Sequence, residues 1–495
     1  MSKTQTPNIL LIMTDQQRWD TLGCYGNEVI ETANLDALAA DGTVFENAYS
    51  PSPSCVPARA CLLTGMDPWH TGILGMGAGQ GPMENGFKST LPGELANAGY
   101  HTQGIGKMHF YPQRSLNGFH HTLLDESGRV EDPGFVSDYR AWFDRNKTGP
   151  YDYVEHGIHW NSWMARPYHA PEYLHPTNWT VNESIEFLKR RDPRKPFFLK
   201  TSFARPHSPY DAPEFYFNLY DNKQLPEPTI GDWAHIHDKP ADAVSPVAWR
   251  GVRKPDEIKR ARAGYYGLIH HIDHQIGRLI QYLQKAGLYG NTMIVFLSDH
   301  GDMLGDHHLW RKTYGYEGSA HIPMIVKLPN GYGSVKARVD APVTMQDIMP
   351  TILDVAGLDI PKSVDGRSMV GLMRGQAEAE AGDTDGWRAF VHGEHCSCYS
   401  DEQEMHYLTD GKTKYIWFPR LHSEQLFDLS SDPGECRNLV DQEDAQQLLL
   451  QWRQRLVDLL SERDAGLTSG TELVSQAGKP YLVSPYYKER VDTKG

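Results

Sequence analysis

The chain is poor in cysteine, with six among 495 residues: Cys24, Cys55, Cys61, Cys396, Cys398 and Cys436. That number excludes a small scaffold built on disulfides. Cys396 and Cys398 stand one residue apart, which is not metal-knuckle spacing. Basic charge is also short. Lysine and arginine total 48 against 63 acidic residues, a formal net charge of -15. A chain so acidic lacks the footprint of a general nucleic-acid binder, so no nucleic-acid partner is expected. A few lysines, arginines and a metal can still build a local pocket for an anion. Long apolar runs are missing too. Nothing approaches the roughly 20 residues of a membrane span, and no membrane partner is expected. The polar start MSKTQTPN leads straight into ILLIM, too short and wrongly flanked for a secretory leader, so a cytoplasmic location is expected, or a periplasmic one if a leader was trimmed. No internal repeat is visible.

What is present fits a folded α/β protein. Hydrophobic residues make up 39% and charged residues 22%. Residues 8–14, 196–203, 292–300 and 323–329 are continuous apolar runs, the pattern of strands buried on both faces. Between them, 257–286 carries apolar residues at three-four spacing and closes at Gly287, which predicts a long amphipathic helix. Shorter helices are predicted over 33–41 and over 344–356, with Thr344 as N-cap. Strands alternate with helices, and polar residues stand at strand ends. The expectation is an open α/β sheet flanked by helices, with its site at the carboxyl ends of the strands. The predicted division is a catalytic domain over 1–375 and, after the acidic linker AEAEAGDTDG, a C-terminal subdomain over 376–495 with a small antiparallel sheet and a helix at 443–463. The last 25 or so residues are expected to wrap the surface.

Chemistry concentrates in a few segments. SPSCVPARACLLTG places Cys55 at a helix N-terminus with Pro57 and Arg59 in the first turns. Helix amides and Arg59 favour an anion there; a bare thiol at such a point is either a nucleophile or an ordinary half-buried cysteine. The first strand ends in Asp15-Gln16, and the strand at 292 ends in Asp299-His300-Gly301. Both ends belong on one sheet edge, where oxygen-rich clusters suit hard cations. GIGKMHF supplies Lys107 and His109, which an extended segment would point to one side. FARPHSP supplies His207, and LGDHHLWRK supplies Lys312.

C-x-P-x-R followed by Leu-Thr-Gly resembles the signature of the type I, formylglycine-dependent, arylsulfatase-like sulfatases of the alkaline phosphatase superfamily. EGSAHIPMIV, VTMQDIMPTILDVAG and LFDLSSDPGECRNL also look like landmarks of that family; the last is read as structural. The resemblance implies an alkaline phosphatase-like sheet and hydrolysis of aryl or carbohydrate sulfate esters to alcohol and inorganic sulfate. It implies that a formylglycine-generating or anaerobic sulfatase-maturating enzyme oxidises Cys55 to formylglycine, whose hydrate is the nucleophile. It assigns Asp15, Gln16, Asp299 and His300, with modified Cys55, to a divalent cation: calcium first, with magnesium and manganese open, since Gln16 and His300 replace the commoner Asp and Asn. Lys107, Lys312 and Arg59 would stabilise sulfate charge, His207 would protonate the leaving oxygen, and His109 would deprotonate the second hydroxyl so that the hemiacetal collapses. The expected partner is a sulfated small molecule or sugar.

Three other readings stand beside this one. A phosphonate or phosphate ester hydrolase of the same superfamily shares the metal edge. A choline sulfatase shares GKMHF and GDMLGDHHLWRK but needs an aromatic or acidic cage. A binding protein that kept the fold would show broken site positions, and here every one is filled. The aromatic-rich segment 151–180 divides evenly between a substrate-facing loop and a packed excursion. Trp310, Arg311, Tyr314, His321 and His395 are candidate specificity residues, while the pairs His270-His271 and His307-His308 are read as structural.

Overall fold

The computed structural model describes residues 6–76, 84, 86–153, 157–333, 335–376 and 386–492. Its strands, in chain order, begin with β1 (Asn8–Asp15), β2 (Thr43–Phe45), β3 (Ala48–Tyr49), β4 (His101–Gly106) and β5 (His121–Leu124). They continue with β6 (Phe197–Pro206), β7 (Thr292–Ser298), β8 (Met324–Lys327), β9 (Arg338–Val339) and β10 (Val343–Thr344). The last four are β11 (Val391–His395), β12 (Met405–Thr409), β13 (Thr413–Phe418) and β14 (Ser423–Asp428). Eight form one mixed sheet in the order β5-β4-β6-β1-β7-β8-β2-β9. β8 alone runs against the others, pairing antiparallel with both β7 and β2. β3 and β10 make a short parallel pair.

β1 explains why its run is apolar throughout. Leu10 and Ile12 enter the core on one face of the sheet, and Ile9, Leu11 and Met13 enter the core on the other. Helix Pro255–Lys285 lies on the first face, with Leu268, Ile269, Ile272, Ile276 and Leu279 fully buried. Its close approach depends on Gly264, where a Cβ would fall 2.7 Å from the Tyr210 carbonyl oxygen. The same helix reaches the strand ends, because the Tyr265 hydroxyl donates to the Gln16 carbonyl and accepts from the Arg18 amide. Helices Cys55–Thr64 and Ile348–Val355 cover the second face. The helix expected at 344 begins as a 3-10 turn, Met345–Asp347, with the Thr344 amide donating to the Asp347 carboxylate at 2.9 Å.

β11 to β14 form a second, antiparallel sheet in sequence order. Its period-two pattern splits cleanly: Tyr415 and Trp417 face helix Gln446–Ser461 through Leu449, Trp452 and Leu456, while Ile416 and Phe418 face Tyr314 and Tyr316. Residues 377–385, most of the expected linker, lie outside the described residues. Near the C-terminus the chain returns to the main body: the Ser484 hydroxyl donates to the Trp69 carbonyl and Val483 bridges Ile73.

His270 and His271 are buried in packing, as read from the helix. His270 meets the Tyr220 hydroxyl, and His271 packs on Tyr216 and His175. His307 stacks with Trp233 and Tyr316, again in the interior.

Candidate functional site

Adjacent parallel strands deliver the site. Asp15 ends β1, Asp299 and His300 follow β7, Lys107 and His109 follow β4, and His207 follows β6. Ser54 precedes the helix that starts at Cys55, and every residue of that helix is buried. Lys312 arrives on the long loop after β7. The loop closes on itself where the Met303 amide donates to the Arg311 carbonyl at 2.7 Å. It is pinned to the Cys55 segment where the Thr313 amide donates to the Pro53 carbonyl at 2.9 Å.

The Cys55 Sγ is the hub. The Lys312 Nζ lies 2.8 Å from it, the His300 Nε2 3.4 Å, the Asp15 Oδ1 3.6 Å and the Lys107 Nζ 3.8 Å. Arg59 braces the acids. Its Nε donates to Asp299 Oδ2 at 2.9 Å, its Nη2 lies 3.3 Å from Asp15 Oδ2, and its Nη1 donates to the Lys107 carbonyl at 2.6 Å. Lys107 pairs with Asp15 Oδ2. Burial and the Asp15 charge push the Cys55 thiol up, but Lys107, Lys312 and His300 outweigh them and bring it down to about 6. Burial also works against the Asp15 carboxylate, and there too the surrounding cations win, holding it well below its ordinary range.

The acidic edge fits a cation. Asp15, Cys55, Asp299 and His300 each offer a ligand atom within 4.8 Å of the others. Gln16 sits at φ 70°, and its Nε2 donates to Asp302 Oδ2 at 2.6 Å, which leaves its buried Oε1 without a partner. A buried amide oxygen is costly to leave unpaired. His300 donates from Nδ1 to the Gly301 carbonyl at 2.9 Å, which frees Nε2 toward Sγ. Two carboxylates, an amide oxygen and an imidazole nitrogen form a donor set for a hard or borderline divalent ion.

The two other histidines differ in their partners. His207 donates from Nδ1 to the Ser208 carbonyl at 2.8 Å; burial and then the Lys312 charge hold its pKa well below the ordinary value. His109 has its Nδ1 3.1 Å from Arg129 Nη1. A guanidinium only donates, so Nδ1 accepts and Nε2 carries the proton. Burial, then the Arg129 charge, depress this ring as well. The segment bearing Lys107 and His109 is not the extended strand expected: His109 lies at φ 60°, and its amide donates to Glu126 Oε1 at 2.9 Å.

Asp15, Lys107, His300 and Lys312 thus meet at Cys55, with Arg59 and Asp299 bonded beside them, and several unread residues support the site. Asp302, Glu126 and Arg129 hold Gln16 and His109, and Ser202 accepts from Arg59 at 3.0 Å. Asp302 follows Asp299 by three residues, which was the only sequence signal among them. Of the candidate specificity residues, His395 lies behind the helix start, its Nε2 2.8 Å from the Ser54 hydroxyl. Arg311 lies over the Tyr399 ring. Trp310 packs on Trp163, Tyr314 on Tyr316, and His321 is stacked between Trp19 and Tyr49.

The family model described as Sulfatase matches residues 7–358, and one described as N-sulphoglucosamine sulphohydrolase, C-terminal, matches residues 305–462. The chain is 44% identical over 493 residues to an arylsulfatase of Clostridium perfringens, covering 97% of this chain and 98% of that protein. It is 30% identical to a choline-sulfatase of Rhizobium meliloti, covering 88% and 83%. A structure solved in complex with its substrate, D-glucosamine-2-N,6-O-disulfate, shares the fold with a TM-score of 0.73 at 22% identity, covering 92% of this chain and 98% of that one.

Proposed function

The chain belongs to the sulfatase family and is a sulfuric ester hydrolase; from that premise we propose that Cys55, converted to formylglycine, carries the nucleophile. Asp15, Gln16, Asp299 and His300 hold a divalent cation beside it, calcium in this reading. The observation that carries the proposal is the convergence on Cys55 Sγ of two lysines and an acidic edge whose Gln16 oxygen has no partner. Sulfatases use a metal ion and a formylglycine; here the cation would supply positive charge to the acidic edge, and the hydrated aldehyde an oxygen nucleophile with a second hydroxyl.

The remaining chemistry falls to the chain's own side chains. Sγ marks the position of the nucleophilic oxygen, so Lys312 and Lys107 stand where they can donate to sulfate oxygens as charge builds in the transition state. Arg59 keeps Asp15 and Asp299 in place. His207 has Nδ1–H fixed on Ser208, so Nε2 is the atom that loads and releases a proton. An anionic ester beside it raises its depressed pKa, and the protonated ring donates to the leaving oxygen. His109 carries its proton on Nε2 while Arg129 occupies Nδ1. Acting as a base at Nε2 therefore requires that proton to move to Nδ1 with Arg129 displaced.

The test is sulfate release by protein co-expressed with a formylglycine-generating enzyme, assayed on an aryl sulfate, a phosphate diester and a phosphonate monoester. Sulfate ester turnover should dominate. Chelation should abolish it, and calcium should restore it better than magnesium or manganese. Cys55→Ala should stay folded and inactive. A fully active Cys55→Ala protein would sink the proposal.

A further inference from the structure

Beside the site, a cavity of about 240 Å³ opens among the loops that follow β5 and β6, walled by Asp125, Ser127, Tyr153, Trp160, Arg205 and Pro209. Arg205 and Pro209 flank His207 in sequence, and the Ser208 hydroxyl donates to the Trp160 carbonyl at 2.9 Å. Arg129 touches His109 with one nitrogen and lies 5.2 Å from the Trp160 ring centroid.

Two polar atoms in this wall have no use in the fold. Asp125 is only 2% exposed. Its Oδ1 accepts from the Ser127 amide at 3.1 Å, yet its Oδ2 has no partner, and neither has the Ser127 hydroxyl. Burial raises the Asp125 carboxyl to about 6, so at neutral pH it is a carboxylate that can only accept. A buried acceptor beside a free hydroxyl, in a wall with aromatic rings, is arranged for a ligand with hydroxyl groups.

The surrounding charge argues against a cationic ligand. Arg140 lies 4.9 Å from the Tyr153 ring centroid, so that ring, like Trp160, already has a guanidinium on it. Arg205 stands in the wall, paired with Asp211 at 2.7 and 2.9 Å, and its charge also acts on Asp125. With Arg205 in the wall and guanidiniums already on the Tyr153 and Trp160 rings, the cavity is a poor cage for a quaternary ammonium.

We infer that this cavity receives the alcohol part of the sulfate ester, that the alcohol is a neutral polyhydroxylated ring of the hexose type, and that Asp125 and Ser127 bind its hydroxyls. The inference rests on the sulfatase reading and adds to it the substrate class and the residues that select it.

The experiment measures kcat and KM of the matured enzyme and of Asp125→Asn on glucose 6-sulfate, choline sulfate and 4-nitrophenyl sulfate, with melting curves to confirm folding. Wild type should prefer the hexose ester to choline sulfate. Asp125→Asn should lose roughly 10- to 100-fold in kcat/KM on the hexose ester, mostly in KM, as expected for one charged hydrogen bond. It should stay within about threefold on 4-nitrophenyl sulfate, which offers that carboxylate no hydroxyl. Ser127→Ala, carrying a smaller loss on the same ester, serves if Asp125→Asn fails to fold. Equal losses on all three esters, no loss, or a wild-type preference for choline sulfate would overturn the inference and leave the sulfatase reading intact. Sulfate release from none of the three would overturn both.

Discussion

The protein contains two clusters of buried charge, built from similar residues with opposite outcomes. At the strand ends, Asp15, Asp299, Lys107, Arg59 and Lys312 surround Cys55. Between the two sheets, Lys414 pairs with Glu317 and lies 3.5 Å from Glu435, while His321 donates from its ring to Glu317 at 2.5 Å and to the Glu46 carbonyl at 2.8 Å. The second cluster is closed over by protein: Lys414 lies beside the rings of Tyr49 and Tyr407, and Glu435 accepts the Glu317 amide at 2.8 Å. The first keeps an imidazole nitrogen and two ammonium groups directed at one sulfur, with the Gln16 amide oxygen left without a partner. Buried charge alone therefore does not mark function, and neither does one unpaired oxygen, since Glu435 Oε1 also lacks a hydrogen-bond partner; several such groups converging on one atom do.

The largest effect expected from this contrast is on stability. Lys414→Met should destabilise the protein by about 3–5 kcal/mol in urea unfolding, because it strands the buried Glu317 carboxylate, and should leave KM for a small aryl sulfate unchanged in the folded fraction. Lys312→Met should do the reverse, lowering kcat by roughly 10²- to 10³-fold with little change in the unfolding midpoint. If the two variants swapped phenotypes, the distinction drawn between the clusters would be wrong.

The smallest expected effect is a pH dependence confined to the second cluster. Burial, opposed by Lys414 and reinforced by the Glu317 charge, pushes the Glu435 carboxyl up to about 8 from 4.5. The folded state then holds a proton that the unfolded state has lost, so this group's contribution falls as pH rises from about 4.5 to about 8. Glu435→Gln should flatten that part of the profile of melting temperature against pH. A profile unchanged by the substitution would remove the shift assigned to Glu435.

How much of this was legible in the sequence differs between the clusters for a physical reason. β1 and β7 announce themselves as unbroken apolar runs ending in acids, and the Cys55 segment carries a fixed spacing, so the first cluster could be read residue by residue. The parallel strand order could not be read, nor could β8, whose apolar run looks the same whichever way it pairs. Glu317, Lys414 and Glu435 lie far apart in the chain and meet only when the second sheet docks. Asp125 was hidden in the same way: it follows a four-residue strand with an exposed first residue, and only the fold shows that one of its oxygens is buried without a partner. His109 was read as lying on an extended segment, but its left-handed backbone and its bond to Arg129 are set by Glu126 and a distant loop, not by local pattern.

The central claim is that Cys55 is the precursor of the nucleophile. The most direct measurement is the mass of the proteolytic peptide containing Cys55, taken from protein co-expressed with a formylglycine-generating enzyme and active in sulfate release. The account predicts a peptide with the thiol replaced by an aldehyde, in proportion to the activity of each preparation. A peptide that retains the cysteine thiol in a fully active preparation would contradict it.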